Sequence, residues 1–267
     1  MKSIAMALSD GAVVAKRNLL KITRVPDLLV FSTIQPIMFV LLFAYVFGSA
    51  IDVPGVPYRE FLMGGIFVQT CIFGATITGS GLADDMKKGI IDRFRSLPMA
   101  RSAVLIGRTT SDLLNNTLVV AIMALTGLVV GWRIRSSFLE AVGGFGLLLL
   151  FAYAISWVMA TVGLWVSSVE VVNNASFIVI FPLTFIANTF VDSAGLPNFL
   201  RRVAEWNPVS AVTQAVRQLF GNISPLMPTS EALPLRYPVL ASLIWIAIIL
   251  AVFIPLAVNR YKKAASR

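Results

Sequence analysis

The sequence predicts an all-α protein that crosses a membrane six times. Hydrophobic residues make up 57% of its 267 residues and charged residues only 13%, whereas ordinary soluble domains carry about 25% charged residues. Six runs contain no Asp, Glu, Lys or Arg, and each is long enough to cross a hydrocarbon core of about 30 Å as a helix. These runs are residues 28–51, 61–83, 113–132, 141–169, 171–191 and 239–258.

The distribution of Lys and Arg predicts how these spans are oriented. Five basic residues precede the first run, six lie between residues 84 and 112, and four follow residue 258, whereas the opposite side carries seven. The positive-inside rule therefore places both termini and the segment 84–108 in the cytoplasm of a cell membrane. Because these clusters flank apolar runs, the net charge of +9 is better explained by topology than by a nucleic-acid partner.

Residues 1–26 predict an amphipathic helix that ends at Pro26. Its apolar residues recur at spacings of three and four, and basic residues follow the same spacing on another face. The apolar set is Leu8, Ala12, Ala15, Leu19 and Ile22. We expect this helix to lie in the headgroup region of an anionic leaflet, with an ordinary solvated helix as the alternative.

The segment 84–108 is a charged stretch between the second and third runs. Its apolar residues recur at spacings of four, four and three, which predicts one apolar edge on a helix: Met86, Ile90, Phe94 and Leu97. Asp84 and Asp85 begin this helix favourably at the positive end of its dipole, and Pro98 ends it. Such a helix is suited to a groove on another protein. Alternatively, its charges only fix topology and its apolar edge rests on the membrane.

Residues 192–238 form the largest segment on the predicted outer side. A helical pattern opens at Pro197, breaks at Asn207 and Pro208, and resumes until Gly221. The pattern predicts two short amphipathic helices that sit at, or dip into, the outer leaflet. A helical hairpin can satisfy its own backbone hydrogen bonds at that depth, which an open loop cannot.

Several kinds of chemistry are missing from the sequence. It contains no histidine and a single cysteine, Cys71, so we expect no catalytic residues and no metal site. The spans contain no Asp, Glu, Lys or Arg, which argues against a transporter coupled to protons or sodium. The phosphate-binding pattern GxxxxGK followed by Ser or Thr is also missing. The energy for any transport must therefore come from a partner.

Uncharged polar residues within the spans are the candidates for a transport pathway. They are Gln35, Gln69, Asn173, Asn174 and Asn188. The alternative for each is that it joins neighbouring helices through hydrogen bonds.

Three stretches resemble the permease subunits of ABC-2 type transporters, particularly the daunorubicin-resistance-like drug exporters. The first is the segment 84–108, with its acidic start, its glycine and its proline. The second is FPLTFIANTFV at the end of the fifth run, and the third is LPNFLRRVAEWNPVSAVTQAVRQLF in the outer segment.

The resemblance implies a role for each of these segments. Residues 84–98 would contain the helix that couples the permease to a separate ABC ATPase, which holds ATP and magnesium. The residues concerned are Asp84, Asp85, Met86, Lys87, Gly89, Ile90, Asp92, Arg93, Phe94, Leu97 and Pro98. Residues 1–26 would be the interfacial helix. Residues 197–220 would be re-entrant outer helices, including Trp206, Asn207, Pro208 and Arg217.

A working transporter of this type contains two permeases and two ATPases. The chain should therefore pair with itself or with a related permease, with the pathway at their interface. The predicted cargo is an amphipathic drug-like or lipid-like molecule moved out of the cell, because uncharged walls suit it. Three alternatives remain open: an exporter of a lipid-linked glycan or complex lipid, an intramembrane lipid-processing enzyme, and a passive channel.

Overall fold

A computed structural model describes residues 10–18, 26–47, 53–95, 103–166, 168–190, 193–224, 226 and 230–264. Within these ranges the chain is helical and contains no strand, which confirms the predicted all-α class. The helices are α1 (10–18), α2 (Pro26–Leu41, continued by a π-helix at Leu42–Phe47), α3 (Tyr58–Lys87), α4 (Ile90–Arg95), α5 (Ala103–Val130), α6 (Phe138–Trp165), α7 (Val169–Phe185), α8 (Asn198–Glu205), α9 (Pro208–Phe220), α10 (Leu233–Arg236) and α11 (Pro238–Ala264).

Four helices of the described chain are long and apolar enough to cross a membrane. They are α3, α5, α6 and residues Pro238–Lys262 of α11. The first three contain 28 to 30 residues, so each extends over roughly 42–45 Å and its ends project beyond a hydrocarbon core of about 30 Å. Two further apolar helices, Thr33–Val46 and Val169–Phe185, are shorter. The protein is therefore a multi-pass membrane protein.

Helix α3 is the central element of the bundle. It packs against α5, α6, α7 and α9, and most of its length is buried. It crosses α6 at two glycines, since a Cβ atom on Gly163 would overlap the carbonyl oxygen of Gly79. A Cβ on Gly79 would in turn lie only 2.8 Å from the Met159 carbonyl oxygen. Small residues thus bring the two backbones into direct contact, as is common between membrane helices.

The α8–α9 hairpin lies in the segment between α7 and α11. Asn207 separates the two helices: its side chain accepts a hydrogen bond of 2.9 Å from the Val209 amide and donates one of 2.7 Å to the Leu183 carbonyl. Pro208 occupies the first turn of α9, and Gly221 ends that helix with φ of +71°. Helix α9 is buried on most faces and packs against α3, α6 and α11.

Two helix boundaries differ from the predicted runs. Glu170 separates the fourth and fifth runs, but α7 begins before it, at Val169. The Ser168 hydroxyl caps this helix by accepting a hydrogen bond of 3.2 Å from the Val171 amide. Glu170 is consequently in the first turn of α7, where its negative charge favours the helix. Helix α7 also ends at Phe185, whereas the fifth apolar run extends to residue 191. The backbone N–H of Asn188 donates a hydrogen bond of 3.1 Å to the Ser210 hydroxyl. The residues after Phe185 therefore contact α9.

Helix α1 packs against the beginning of α5. A Cβ on Gly107 would lie 2.6 Å from the Gly11 carbonyl oxygen, and Asn18 donates to the Ser111 hydroxyl at 3.3 Å. Val14 and Ala15 are buried, whereas Ala12, on the predicted apolar face, is exposed. The close approach of Gly11 to Gly107 selects this packing face. The rest of the predicted interfacial helix lies outside the described residues.

Candidate functional site

The first candidate site is the α3–α4 corner, residues 84–95. Helix α3 ends at Lys87, and α4 begins at Ile90. Gly89 between them has φ of +63°, a conformation that only glycine adopts without strain. Its amide donates to the Met86 carbonyl at 3.0 Å. The chain is therefore broken at Gly89, which differs from the uninterrupted helix predicted from the spacing.

The break changes which apolar residues of the corner are buried. Ile91 is 5% exposed and belongs to a core cluster that Met86 packs against. The other buried members of that cluster are Leu82, Val104, Leu105, Trp157, Ala160, Leu164, Ala257 and Tyr261. Ile90 is half-buried, whereas Lys87, Lys88 and Arg93 are exposed. The face that the corner presents outward is thus mainly basic.

The remaining predicted coupling residues have different placements. Lys88 pairs with Asp84 at 2.8 Å, and Arg17 of α1 pairs with Asp85 at 3.2 Å. Asp85 is buried, so the second pair anchors the corner to α1. Asp92 and Phe94 lie in α4, but their side chains are outside the described part of the structure. Leu97 and Pro98 also lie outside it.

A buried ion pair that was not predicted lies between α3 and the start of α5. Arg108 Nε is 3.1 Å from Asp112 Oδ2, and the Thr78 hydroxyl donates to the same carboxylate at 2.6 Å. Arg108 also donates to the Ile77 carbonyl at 2.8 Å. Arg108 and Asp112 are four residues apart in one helix, and this spacing was a sequence signal for the ion pair. No sequence signal indicated that the pair would contact α3. The network joins α3 to the start of α5.

The second candidate site is a cavity of about 230 Å³ between α2, α3 and α5. It brings together two of the predicted pathway residues, Gln35 of α2 and Gln69 of α3, and adds Asn115 of α5. Among the described residues, no charged side chain lines it, and most of the remaining wall is apolar or aromatic. The three amides are the main polar groups that a molecule in this cavity would meet.

The structure does not bring the other predicted pathway residues to this cavity. Asn173 and Asn174 are exposed on α7, where Asn173 accepts a hydrogen bond of 2.6 Å from the Ser80 hydroxyl. Asn188 is buried after α7 and donates to Gln214 at 3.4 Å. Asn173 and Asn188 therefore form hydrogen bonds to neighbouring elements, and their role in a transport pathway stays a prediction.

Arg217 is the most deeply buried charged side chain of the α8–α9 hairpin, at 1% exposure. It donates to the Phe61 carbonyl at 2.8 Å and to the Thr189 carbonyl at 2.9 Å. Its guanidinium carbon lies 3.5 Å from the centroid of the Phe61 ring. Arg217 therefore ties α9 to α3 and to the turn after α7. Trp206, in contrast, is exposed between α8 and α9.

A second polar network closes the same end of the bundle. Arg135 donates to both carboxylate oxygens of Glu60, at 2.7 and 2.8 Å. The hydrogen bonds and the negative charge of Glu60 raise the pKa of Arg135. Asn222 donates to Glu60 at 3.3 Å and accepts from the Trp132 indole at 2.7 Å. This end is thus fixed by bonds between residues far apart in the sequence.

Comparison with known proteins decides the family. The profile described as ABC-2 type transporter matches residues 11–220. The chain belongs to the ABC-2 type transporter family. It is 33% identical over 203 residues to the daunorubicin resistance ABC transporter permease protein DrrB1 of Streptomyces coeruleorubidus, covering 76% of this chain and 72% of that protein. A Mycobacterium tuberculosis protein named as a probable doxorubicin resistance ABC transporter permease, DrrC, is 24% identical over 241 residues, covering 87% of this chain and 81% of that protein.

The ABC-2 match includes most of the residues described above; Asn222, Ala257 and Tyr261 lie outside it. The α3–α4 corner, the cavity between α2, α3 and α5, and helix α9 all lie within residues 11–220. In the part of the chain that the structure describes, no three His, Cys, Asp or Glu residues are grouped to hold a metal ion. The candidate sites of this ABC-2 protein are therefore the basic α3–α4 corner and the neutral cavity between α2, α3 and α5. The hydrogen-bond networks of Arg217 and Glu60 hold the helices together at the other end of α3.

Proposed function

We propose that this chain is the permease subunit of an ATP-driven exporter that moves amphipathic drug-like or lipid-like molecules out of the cell. The observation that supports this proposal most strongly is the exposed, basic α3–α4 corner in a protein of the ABC-2 family. The corner exposes basic side chains at the end of α3, the most buried of the four long helices, and an ion pair joins it to α1. A force applied there by another protein would reach α3 directly.

The partner in this proposal is an ABC ATPase subunit seated on the α3–α4 corner. ATP and magnesium belong to that subunit, because this chain lacks the phosphate-binding pattern. The exposed Lys87, Lys88 and Arg93 suit an acidic rim on the partner. Ile90, half-buried beside them, would supply an apolar contact. The break at Gly89 lets α4 leave the axis of α3 and lie across the partner's surface.

In the proposed topology the four long helices and the two shorter ones, α2 and α7, make six spans with both termini in the cytoplasm. Helix α7 contains 17 residues, or about 26 Å, which is less than the usual hydrocarbon core. Helix α9, buried between α3, α6 and α11, would then be re-entrant from the outer side. Backbone N–H and C=O groups inside a membrane must be hydrogen-bonded within the protein, and a helix buried among other helices meets this requirement.

A second permease, either another copy or a related chain, would complete the transporter. Exposed aromatic rings on α7 support this pairing, because they form a stacked row along one face. Phe177 and Phe181 have ring centroids 5.2 Å apart, and Phe181 and Phe185 4.1 Å apart. All three are more than a third exposed. This face would meet lipid or the second permease, with the pathway between the two chains.

The test is reconstitution with a partner. The chain is co-expressed with the ABC ATPases of its source organism, one at a time, and complexes that copurify are placed in vesicles. We expect one ATPase to drive uptake of daunorubicin into inside-out vesicles when ATP and magnesium are present, and not with an ATPase whose phosphate-binding lysine is replaced. Failure of every ATPase to copurify would contradict the proposal, as would uptake that persists without ATP.

A further inference from the structure

We propose that the cavity between α2, α3 and α5 binds the neutral, hydrogen-bonding end of an amphipathic molecule within a single permease. This inference rests on the proposed export function, since it identifies what part of the cargo the chain holds. The site lies inside one chain, so it does not depend on the interface with a second permease.

The first step of the argument is that the cavity amides have unmet hydrogen-bonding capacity. Gln35, Gln69 and Asn115 make no side-chain hydrogen bond among the described residues. Gln69 and Asn115 are 5% and 8% exposed. A primary amide offers two donors and an acceptor, and leaving such groups unpaired away from water is costly. A molecule in the cavity that both donates and accepts would meet this requirement.

A fourth amide lies beside the cavity wall. Both polar atoms of the Asn116 side chain are buried without a partner in the described structure. A Cβ atom on Gly74 would overlap Asn116 Oδ1, and Gly74 itself lines the cavity. The glycine therefore leaves the Asn116 amide in contact with the wall. Four side-chain amides thus surround or adjoin one space in the bundle.

The second step is that the ligand must be neutral. None of the described residues that line the cavity is charged. The buried Arg108, which bonds to the lining residue Ile77, is paired with Asp112, and both bond to groups of α3. Gln69 and Asn115 also lie within the predicted spans 61–83 and 113–132, so a bound group would sit inside the hydrocarbon core. An unpaired charge there is expensive, whereas amides, hydroxyls and carbonyls are tolerated when paired.

The third step concerns size. Pockets for whole drug-sized molecules usually measure about 300–1,000 Å³, and this cavity is smaller, at about 230 Å³. It can hold a polar head or one ring, and the rest of the molecule must extend outside. Gln35 is exposed at the α2 side, which provides that exit. Pro36 and Phe39 on the same helix give the adjoining apolar surface.

The experiment uses the intact permease in nanodiscs, without an ATPase, and two photoreactive probes with the same alkyl chain. One is a decanamide with a diazirine on a carbon close to the amide, and the other has the diazirine at the same position but ends in trimethylammonium instead of the amide. We expect saturable labelling of α2, α3 and α5 by the amide probe, displaced by unlabelled decanamide, and no saturable labelling by the cationic probe. Gln69→Leu and Asn115→Leu should each raise the half-saturating amide concentration about tenfold.

Thr117→Val is the matched control on α5. Thr117 is exposed and its hydroxyl donates to the Leu113 carbonyl of its own helix, so this variant should bind the amide probe normally. Thermal unfolding of each variant checks that the bundle is intact; the two Leu variants remove unpaired polar groups, so they should unfold at the same temperature or higher.

The proposal is overturned by equal labelling with the two probes, by Leu variants that bind normally, or by no saturable labelling, which would mean that the cavity holds only water. Because these outcomes are measured without ATP, they are independent of the export test. Export without amide binding would overturn the cavity proposal alone, and amide binding without export would overturn the proposed function.

Discussion

Gly89→Ala tests whether the break in the α3–α4 corner is what shapes this surface. Gly89 has φ of +63°, and no atom of the described residues lies within 4 Å of a Cβ built on it. The cost of alanine is therefore a backbone cost, not a clash. A non-glycine residue in this conformation costs about 1–2 kcal/mol, and alanine favours a continuous helix over glycine by about 1 kcal/mol. Together these terms move the balance towards a straight α3–α4 helix by about 2–3 kcal/mol, or about 30- to 150-fold.

The readout is the accessibility of residue 91. Ile91 is 5% exposed, and a straight helix would withdraw it from its cluster. We expect Ile91→Cys, in a Cys71→Ala background, to react slowly with a polar maleimide when residue 89 is glycine and at least several-fold faster when it is alanine. Gly89→Asn should react at an intermediate rate, because asparagine tolerates the left-handed region better than alanine. Equal rates for glycine and alanine would refute the reasoning.

Two further predictions concern stability. Asn222→Ala should lower the free energy of unfolding by about 1–3 kcal/mol, because it leaves the buried Trp132 indole without its hydrogen-bond acceptor. Gln218→Ala, on the exposed side of α9, is the control. Equal melting temperatures for the two variants would show that the Asn222 hydrogen bonds do not stabilise the fold. Gly163→Ala should cost about 1–3 kcal/mol by forcing α6 away from the Gly79 carbonyl. Gly146→Ala on the same helix has open space at its Cβ and should be tolerated. If the two alanine variants melt alike, the helices do not touch at Gly163.

The features that could be predicted from the sequence are those set by local signals. The break between α8 and α9 follows from Asn207 as a cap and Pro208 in the first turn, and Gly221 ends α9 as glycine often does. The long helices follow from runs of uncharged residues. The ends of the helices were predicted less accurately. Helices α3 and α5 both extend into the charged segment 84–108, so the limits of the uncharged runs do not coincide with the helix ends.

The features that could not be predicted depend on contacts between distant residues. Glu60 and Arg135 are 75 positions apart, and nothing near either one indicates the other. Gln35 and Gln69 were recognised as polar residues within spans, but only the packing of α2 against α3 and α5 shows that they share a cavity with Asn115. At the corner, the spacing of apolar residues predicted one helix through Gly89, whereas Gly89 has a positive φ and Ile91, not in the predicted apolar set, is buried.

The central claim is that an ABC ATPase docks on the α3–α4 corner, and cysteine crosslinking tests it most directly. Cys71 is fully buried, so Cys71→Ala provides a clean background. Lys88→Cys is exposed at the corner, and Leu226→Cys, at a position 70% exposed, lies on the opposite side in the proposed topology. With the copurifying ATPase present, the account predicts that a maleimide–benzophenone reagent attached to residue 88 crosslinks to the ATPase on illumination, and that the same reagent attached to residue 226 does not. No crosslink at residue 88, or equal crosslinking at both positions, would contradict the account.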